Sequence, residues 1–350
     1  MAFIQFRSHT LPKVKRQSYR FPAMILGLMF FLILGMGWSL INAASFPMNW
    51  ADVADFLLGR EGNVIHQHII YSIRLPRTLA ATFVGAGLGV AGLLMQSITR
   101  NPLASPSILG VSAGAAFAFA FASTGLLPWL ESVPVLVVTF AGAAFAGTLV
   151  FFLAGLHTAR PHPLRIILAG IALNFLFISL TRAAVIFADE NAYGVLHWLT
   201  GSVANTDWDD ALLVIPSVTI GFLVSVYLAF QLNLLKLGEE LMRSVGGNLF
   251  RVRTISSIVV VLLIASSVSV AGPIAFVGLI APHLARFLVG SDIRSQLPVT
   301  ALLGANLVMY SDIASRYLSQ GQETPVGIIT TMIGALFFLG FVRLKMGEIR

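Results

Sequence analysis

Long apolar runs alternate with short polar breaks along almost the whole chain. The runs fall near 21–44, 76–98, 106–127, 133–156, 164–188, 211–232, 254–272, 274–289, 297–315 and 326–344. A helix needs about 20 predominantly apolar residues to cross a hydrocarbon core of about 30 Å, and most of the runs reach that length. The run after Gly272 is shorter. Pro273 lies at its start and Pro282 inside it, which predicts a helix broken above His283 and Arg286. The pattern therefore predicts an all-α, polytopic membrane protein of roughly ten transmembrane helices, with both termini on one side.

The polar breaks add detail. The two longest lie at about 45–73 and 189–210, and the second carries Trp198 and Trp208, residues suited to a short helix at headgroup level. Asn101-Pro102 and Ser105-Pro106 mark a tight connection between two helices. Gly85 with Gly89, and Gly110 with Gly114, have the small-xxx-small spacing that lets helix backbones approach closely.

Composition agrees, since 57% of residues are hydrophobic and only 11% charged, against about a quarter charged in soluble domains. The formal charge of +7 raises the question of nucleic acid, and the placement of the charges answers it. With the N-terminus inside, Arg7, Lys13, Lys15, Arg16, Arg20, Arg100, Arg160, Arg165, Lys236, Arg243, Arg251, Arg253 and most C-terminal basic residues are cytoplasmic, while most acids lie outside. That is a positive-inside distribution, with both termini cytoplasmic and no nucleic-acid partner. The first apolar run is too long for a signal-peptide core. Residues 1–20 are thus read as a basic cytoplasmic segment, and 21–350 as one transmembrane domain.

Little catalytic chemistry is on offer. The chain has no Cys, and no G-x-x-x-x-G-K-[ST], H-E-x-x-H or G-x-S-x-G motif stands in a credible setting. No catalytic residue, cofactor or metal site is expected, and His66 and His68 are read as solvated loop residues without a nearby acid. Charges inside the spans are scarce, Arg182 and Asp312 being the exceptions. Arg74 and Arg77, in RLPR, stand on the outer side where basic residues are disfavoured, which points to an acidic partner there.

LKLGEELMRSVGGN, 234–247, is a short charged stretch between two spans. On a helix, Leu237, Leu241, Val245 and Met242 form an apolar side while Glu239, Glu240 and Arg243 point elsewhere. Gly246-Gly247 would end the helix. Two readings fit: a helix resting on membrane lipid, or one docking on a protein. Its mixed, partly acidic polar face leans toward the second.

Six ordered stretches, RLPR at 74–77, NPLASPSILGVSAGA at 101–115, WLTGSVANTDW at 198–208, LNLLKLGEELMRSVG at 232–246, AGPIAFVGLIAPHLAR at 271–286 and SDIASRYLSQGQETPVGIITTMIGA at 311–335, resemble the FecCD family of bacterial ABC importer permeases, relatives of the vitamin B12 permease. The resemblance implies a multi-pass protein of the bacterial inner membrane. Its expected partners are cytoplasmic ABC ATPase subunits, a second permease subunit (identical or homologous) and a periplasmic or lipid-anchored substrate-binding protein. Leu237, Gly238, Glu239, Glu240, Arg243 and Gly246 would form the ATPase-coupling segment near 236–247. Arg74, Arg77 and Arg316 would be landing points for the binding protein. Asn174, Arg182, Trp198 and Thr331 would lie along the translocation pathway. The family's usual G-A-P-x-F reads Gly334-Ala335-Leu336-Phe337-Phe338 here, without the proline, so a straighter last helix is expected. An iron(III)–siderophore complex is the expected cargo, with haem or cobalamin as alternatives. An ATP-independent secondary carrier and an intramembrane enzyme are the competing classes.

Overall fold

The structure, a computed structural model, describes residues 20–41, 48–60, 62–106, 110–155, 163–188, 191–318 and 324–347. The basic segment 1–19 thus lies outside the described residues. Among those described, every regular element is helical: α1 (Arg20–Ile41), α2 (Trp50–Leu57), α3 (Val64–Ile69), α4 (Leu75–Thr99), α5 (Val111–Ala122), α6 (Pro128–Glu131), α7 (Val135–Leu153), α8 (Pro163–Phe187), α9 (Ala192–Trp198), α10 (Trp208–Leu237), α11 (Glu239–Ser244), α12 (Leu249–Ala271), α13 (Val277–Val289), α14 (Ile293–Leu318) and α15 (Val326–Gly347). Seven helical stretches are long and apolar enough to cross a membrane, and three shorter apolar helices, Val111–Ala122, Val277–Val289 and Val326–Gly340, accompany them. Each falls on one of the ten apolar runs. The end bearing α11 is called inner and the end bearing α9 outer, following the sidedness that the charges predict.

Helices α4 and α12 form the buried centre. Around α4 pack α14, α12, α10 and α13; α5, α7 and α8 form a second group that joins the centre through α12. Small residues set these distances. A Cβ at Gly85 would collide with the Gly304 carbonyl of α14, and one at Gly92 with the Gly278 carbonyl of α13. Gly114 of α5 and Gly142 of α7 exclude a side chain reciprocally, each virtual Cβ lying 2.7 Å from the other's carbonyl oxygen. With no hydrophobic effect to drive helices together in lipid, such close backbone contact is what holds them. Some buried hydroxyls bond within their own helix: Ser266 and Ser267 of α12 donate to the carbonyls of Leu262 and Leu263 at 2.8 and 2.7 Å.

Two sequence expectations about prolines resolve differently. Helix α13 runs unbroken from Val277 to Val289 through Pro282, so the expected break is absent. The proline lacks the N–H that would bond the Gly278 carbonyl four residues earlier, and that carbonyl is the one against Gly92. The missing bond falls where α4 comes closest, and the helix stays whole. Helix α15 is continuous through Leu336, as α13 is through its proline.

The outer connections are more ordered than loops. Helices α2 and α3 precede a π-helical turn, Ile70–Arg74, that leads directly into α4. The second long helix therefore begins at Val64 rather than near residue 76. His66 does have an acidic neighbour, its Nδ1 lying 3.0 Å from Asp52 Oδ1 and joining α3 to α2. The expected short helix of the 189–210 connection is α9.

Candidate functional site

At the inner end, Gly238 separates α10 from α11 with φ of 131°, a conformation open to glycine. Helix α11 then closes with a Schellman turn. The Gly247 N–H donates to the Met242 carbonyl at 2.8 Å, the Gly246 N–H donates to the Arg243 carbonyl at 3.0 Å, and Gly246 has φ of 78°. These two signals were legible as glycines in the sequence.

The rotation of α11 was not. Met242 alone is fully buried, while Leu237, Leu241 and Val245 are 70%, 44% and 58% exposed. Glu240, Arg243 and Gly246 are exposed beside them. The apolar side thus faces outward, opposite to the packing of an ordinary amphipathic helix. Glu239 faces in: its Oε1 accepts from Arg253 Nη2 at 2.6 Å and from Arg100 Nη2 at 3.1 Å. The Arg253 side chain is 3% exposed and lies in α12; Arg100 ends α4. The preceding turn of α10 is fixed as well. Asn233 donates to Asp292 Oδ1 at 2.6 Å, and Lys236 Nζ donates to the Ser291 carbonyl at 3.1 Å. The result is a ledge held from behind with a greasy, mixed-charge front.

At the outer end, the three arginines expected as landing points are committed within the chain. Arg74, 3% exposed, donates from Nη1 to the carbonyls of Leu40 and Ile41 at 2.5 and 2.9 Å, capping the last turn of α1. Arg77, also buried, donates to Asp312 Oδ1 from Nη2 at 2.8 Å and from Nε at 3.1 Å. Arg316 pairs with Asp312 Oδ2 and donates from Nη1 to the Ser39 carbonyl at 2.8 Å. Asp312 itself is wholly buried. These groups lock α1, α4 and α14 together at the outer end, where the expectation places the landing points for a binding protein. In the sequence Asp312 is only a rare charge in a span, and its place between two arginines does not show there.

The expected pathway residues do not converge on one point. Asn174 is half-buried in α8, where its backbone passes Gly110, and Arg182 is exposed further along the same helix. Thr331 is exposed on α15, its hydroxyl donating to the Gly327 carbonyl at 2.7 Å. Trp198 is packed against Phe119, ring centroids 5.1 Å apart, and lines a cavity of about 390 Å³ that also borders His197, Asn205 and Asp210. Three glycines weld this region to the end of α12 and to the last helix. Gly201 accepts from the Gly327 N–H at 2.9 Å, Ser202 N–H donates to the Ala271 carbonyl at 2.8 Å, and Gly272 sits against the Trp198 carbonyl.

The FecCD transport family model matches residues 27–344, nearly the whole chain. The chain belongs to the FecCD transport family. Among its relatives, the Fe(3+)-citrate import system permease protein YfmD of Bacillus subtilis (strain 168) is 39% identical over 329 residues, covering 94% of this chain and 96% of its own. The Fe(3+) dicitrate transport system permease protein FecC of Escherichia coli (strain K12) is 37% identical over 327 residues, covering 93% and 98%. A solved chain described as an inward-facing metal-chelate type ABC transporter superposes with a TM-score of 0.79 at 31% identity, over 92% of this chain and 99% of that one. Family and described helices together make this an all-α, multi-pass membrane transport protein, not an enzyme by itself. The FecCD match spans both the inner ledge and the outer arginine lock.

Proposed function

We propose that the chain is the permease subunit of a bacterial ABC importer that carries an iron(III) chelate across the inner membrane, driven by separate cytoplasmic ATPase subunits. The observation that carries this reading is the ledge: a short helix anchored by Met242 and Glu239, whose Leu237, Leu241 and Val245 face outward. A patch of that kind, rimmed by Glu240 and Arg243, is the anatomy of a protein interface, apolar at its centre and charged at its edge. The permeases for Fe(3+)-citrate and Fe(3+) dicitrate among the relatives support an iron(III) chelate as cargo.

A second permease subunit, identical or homologous, would cover α8 and α15. Both helices expose large apolar side chains, Phe175 and Ile186 on α8 and Leu336 on α15 among them. Arg182 is exposed on the same α8, and a charge on a membrane helix is placed toward protein or water rather than hydrocarbon. The path would run between the two subunits past Arg182, Asn174 and Thr331. A periplasmic or lipid-anchored binding protein would deliver the chelate at the outer end.

Capture of the ATPase subunit by the purified chain in detergent tests the reading. Leu241→Asp should weaken capture about tenfold or more, the scale of losing one central apolar contact, with the thermal unfolding midpoint unchanged. Undiminished capture by this variant would contradict the ledge as the docking surface. In proteoliposomes, uptake of iron(III)-citrate should require ATP, and uptake driven by an ion gradient alone would favour a secondary carrier.

A further inference from the structure

We propose that Glu239 is not a contact for the ATPase but the ionic joint that connects the ledge to the transmembrane core; the inference rests on the coupling reading above. One carboxylate oxygen, Oε1, accepts from two arginines that belong to different transmembrane helices, Arg253 of α12 at 2.6 Å and Arg100 at the end of α4 at 3.1 Å. Those are the two helices at the buried centre. The neighbour in sequence, Glu240, is exposed, so two adjacent acids with the same chemistry face opposite directions and serve different ends.

The arrangement suits transmission. Along the chain, α11 is joined to α10 only through Gly238, a residue with φ of 131°, and to α12 through Val245–Asn248. A glycine hinge carries little torque. The rigid link from ledge to core is therefore the pair of ion contacts, which resist both pulling and pushing, whereas an apolar contact can slide. Arg253 is 3% exposed at its side chain, and its Nη1 finds no hydrogen-bond partner among the described residues. The charge of Glu239 is thus what that buried guanidinium is set against, and a buried charge stripped of its partner is strongly disfavoured. Arg100, 38% exposed at its side chain and held at φ of 52°, gives the joint its second arm. Glu239 is accordingly a positioning residue, acting through the helices it holds.

The joint is tested on the full importer complex, using the absence of natural cysteine to place spin labels at Tyr193→Cys and Leu318→Cys, both exposed at the outer end. Three quantities are read: ATPase capture, ATP hydrolysis, and the change in label distance on ATP binding. Glu239→Gln should leave capture and hydrolysis near those of the unaltered complex but cut the shifted population about fivefold or more, the scale of a coupling between sites. A full shift in Glu239→Gln would overturn the joint, and so would loss of capture by a folded Glu239→Gln chain, which would make Glu239 a direct contact. Should that variant not fold, Arg100→Gln removes only the exposed arm and is read by the same outcomes. If the unaltered chain bound the ATPase and showed no shift, the coupling reading would fall, and the joint with it.

Discussion

Asp312 shows how much a single side chain can hold. It is fully buried between Arg77 and Arg316, and Arg316 reaches on to the last turn of α1 through Ser39. Removing one partner from a buried ionic cluster leaves its counter-charges stranded, which costs about 3 kcal/mol or more. Asp312→Ala should therefore lower the thermal unfolding midpoint in detergent markedly, and Asp312→Ala with Arg77→Met should recover part of the loss. An unchanged midpoint in the single variant would refute the lock. The sequence displayed all three residues and hid their relation, because Arg77 and Asp312 are 235 positions apart. Motif position on the outer side of a span was readable; the direction of the guanidinium was not.

At the scale of elements, the apolar runs were legible because membrane helices repeat a fixed length, and all ten expected spans have a helix. What escaped the pattern were features set by contact. The second helix extends back to Val64 because the π-helical turn Ile70–Arg74 continues it through polar residues. Trp208 fastens that turn, donating to the Tyr71 carbonyl at 3.0 Å, and neither event follows from hydropathy. Helix α13 keeps Pro282 because the freed Gly278 carbonyl meets Gly92. Gly92→Val should accordingly push α13 from α4 and destabilise the chain by about 3 kcal/mol or more, the upper range for overpacking. Gly27→Ala, where nothing lies within 4 Å, should cause no loss. Equal midpoints for the two variants would contradict the close-approach account. Helix α11 is the sharpest case. A six-residue helix with Leu241 and Met242 inside it and Val245 just after it has apolar groups on more than one side, so a helical wheel cannot assign its inner face. The burial of Met242 does, leaving Leu241 and Val245 outward.

At the scale of the whole molecule, the two ends are built differently around one buried centre of α4 and α12. The outer end is tied together by the Asp312 cluster and by the glycine weld among α9, α12 and α15. The inner end offers a surface. Family membership was legible from six ordered stretches, since each places unusual residues at fixed positions in helices. The division of labour at the inner end was not, because Glu239 and Glu240 are indistinguishable until their neighbours are known. On the proposed reading the work of ATP hydrolysis comes from a separate subunit, and the ledge is where this chain would receive it.

The most direct measurement of that claim is site-specific cross-linking in native membranes. The chain carries no cysteine, so Leu241→Cys supplies a single reactive thiol on the exposed front of α11. With a short bifunctional reagent, the account predicts one dominant adduct whose partner contains a P-loop, while a thiol at the outer-end position Tyr193→Cys gives none. An intact, folded Leu241→Cys chain that labels fully yet yields no adduct with a P-loop protein would contradict the account.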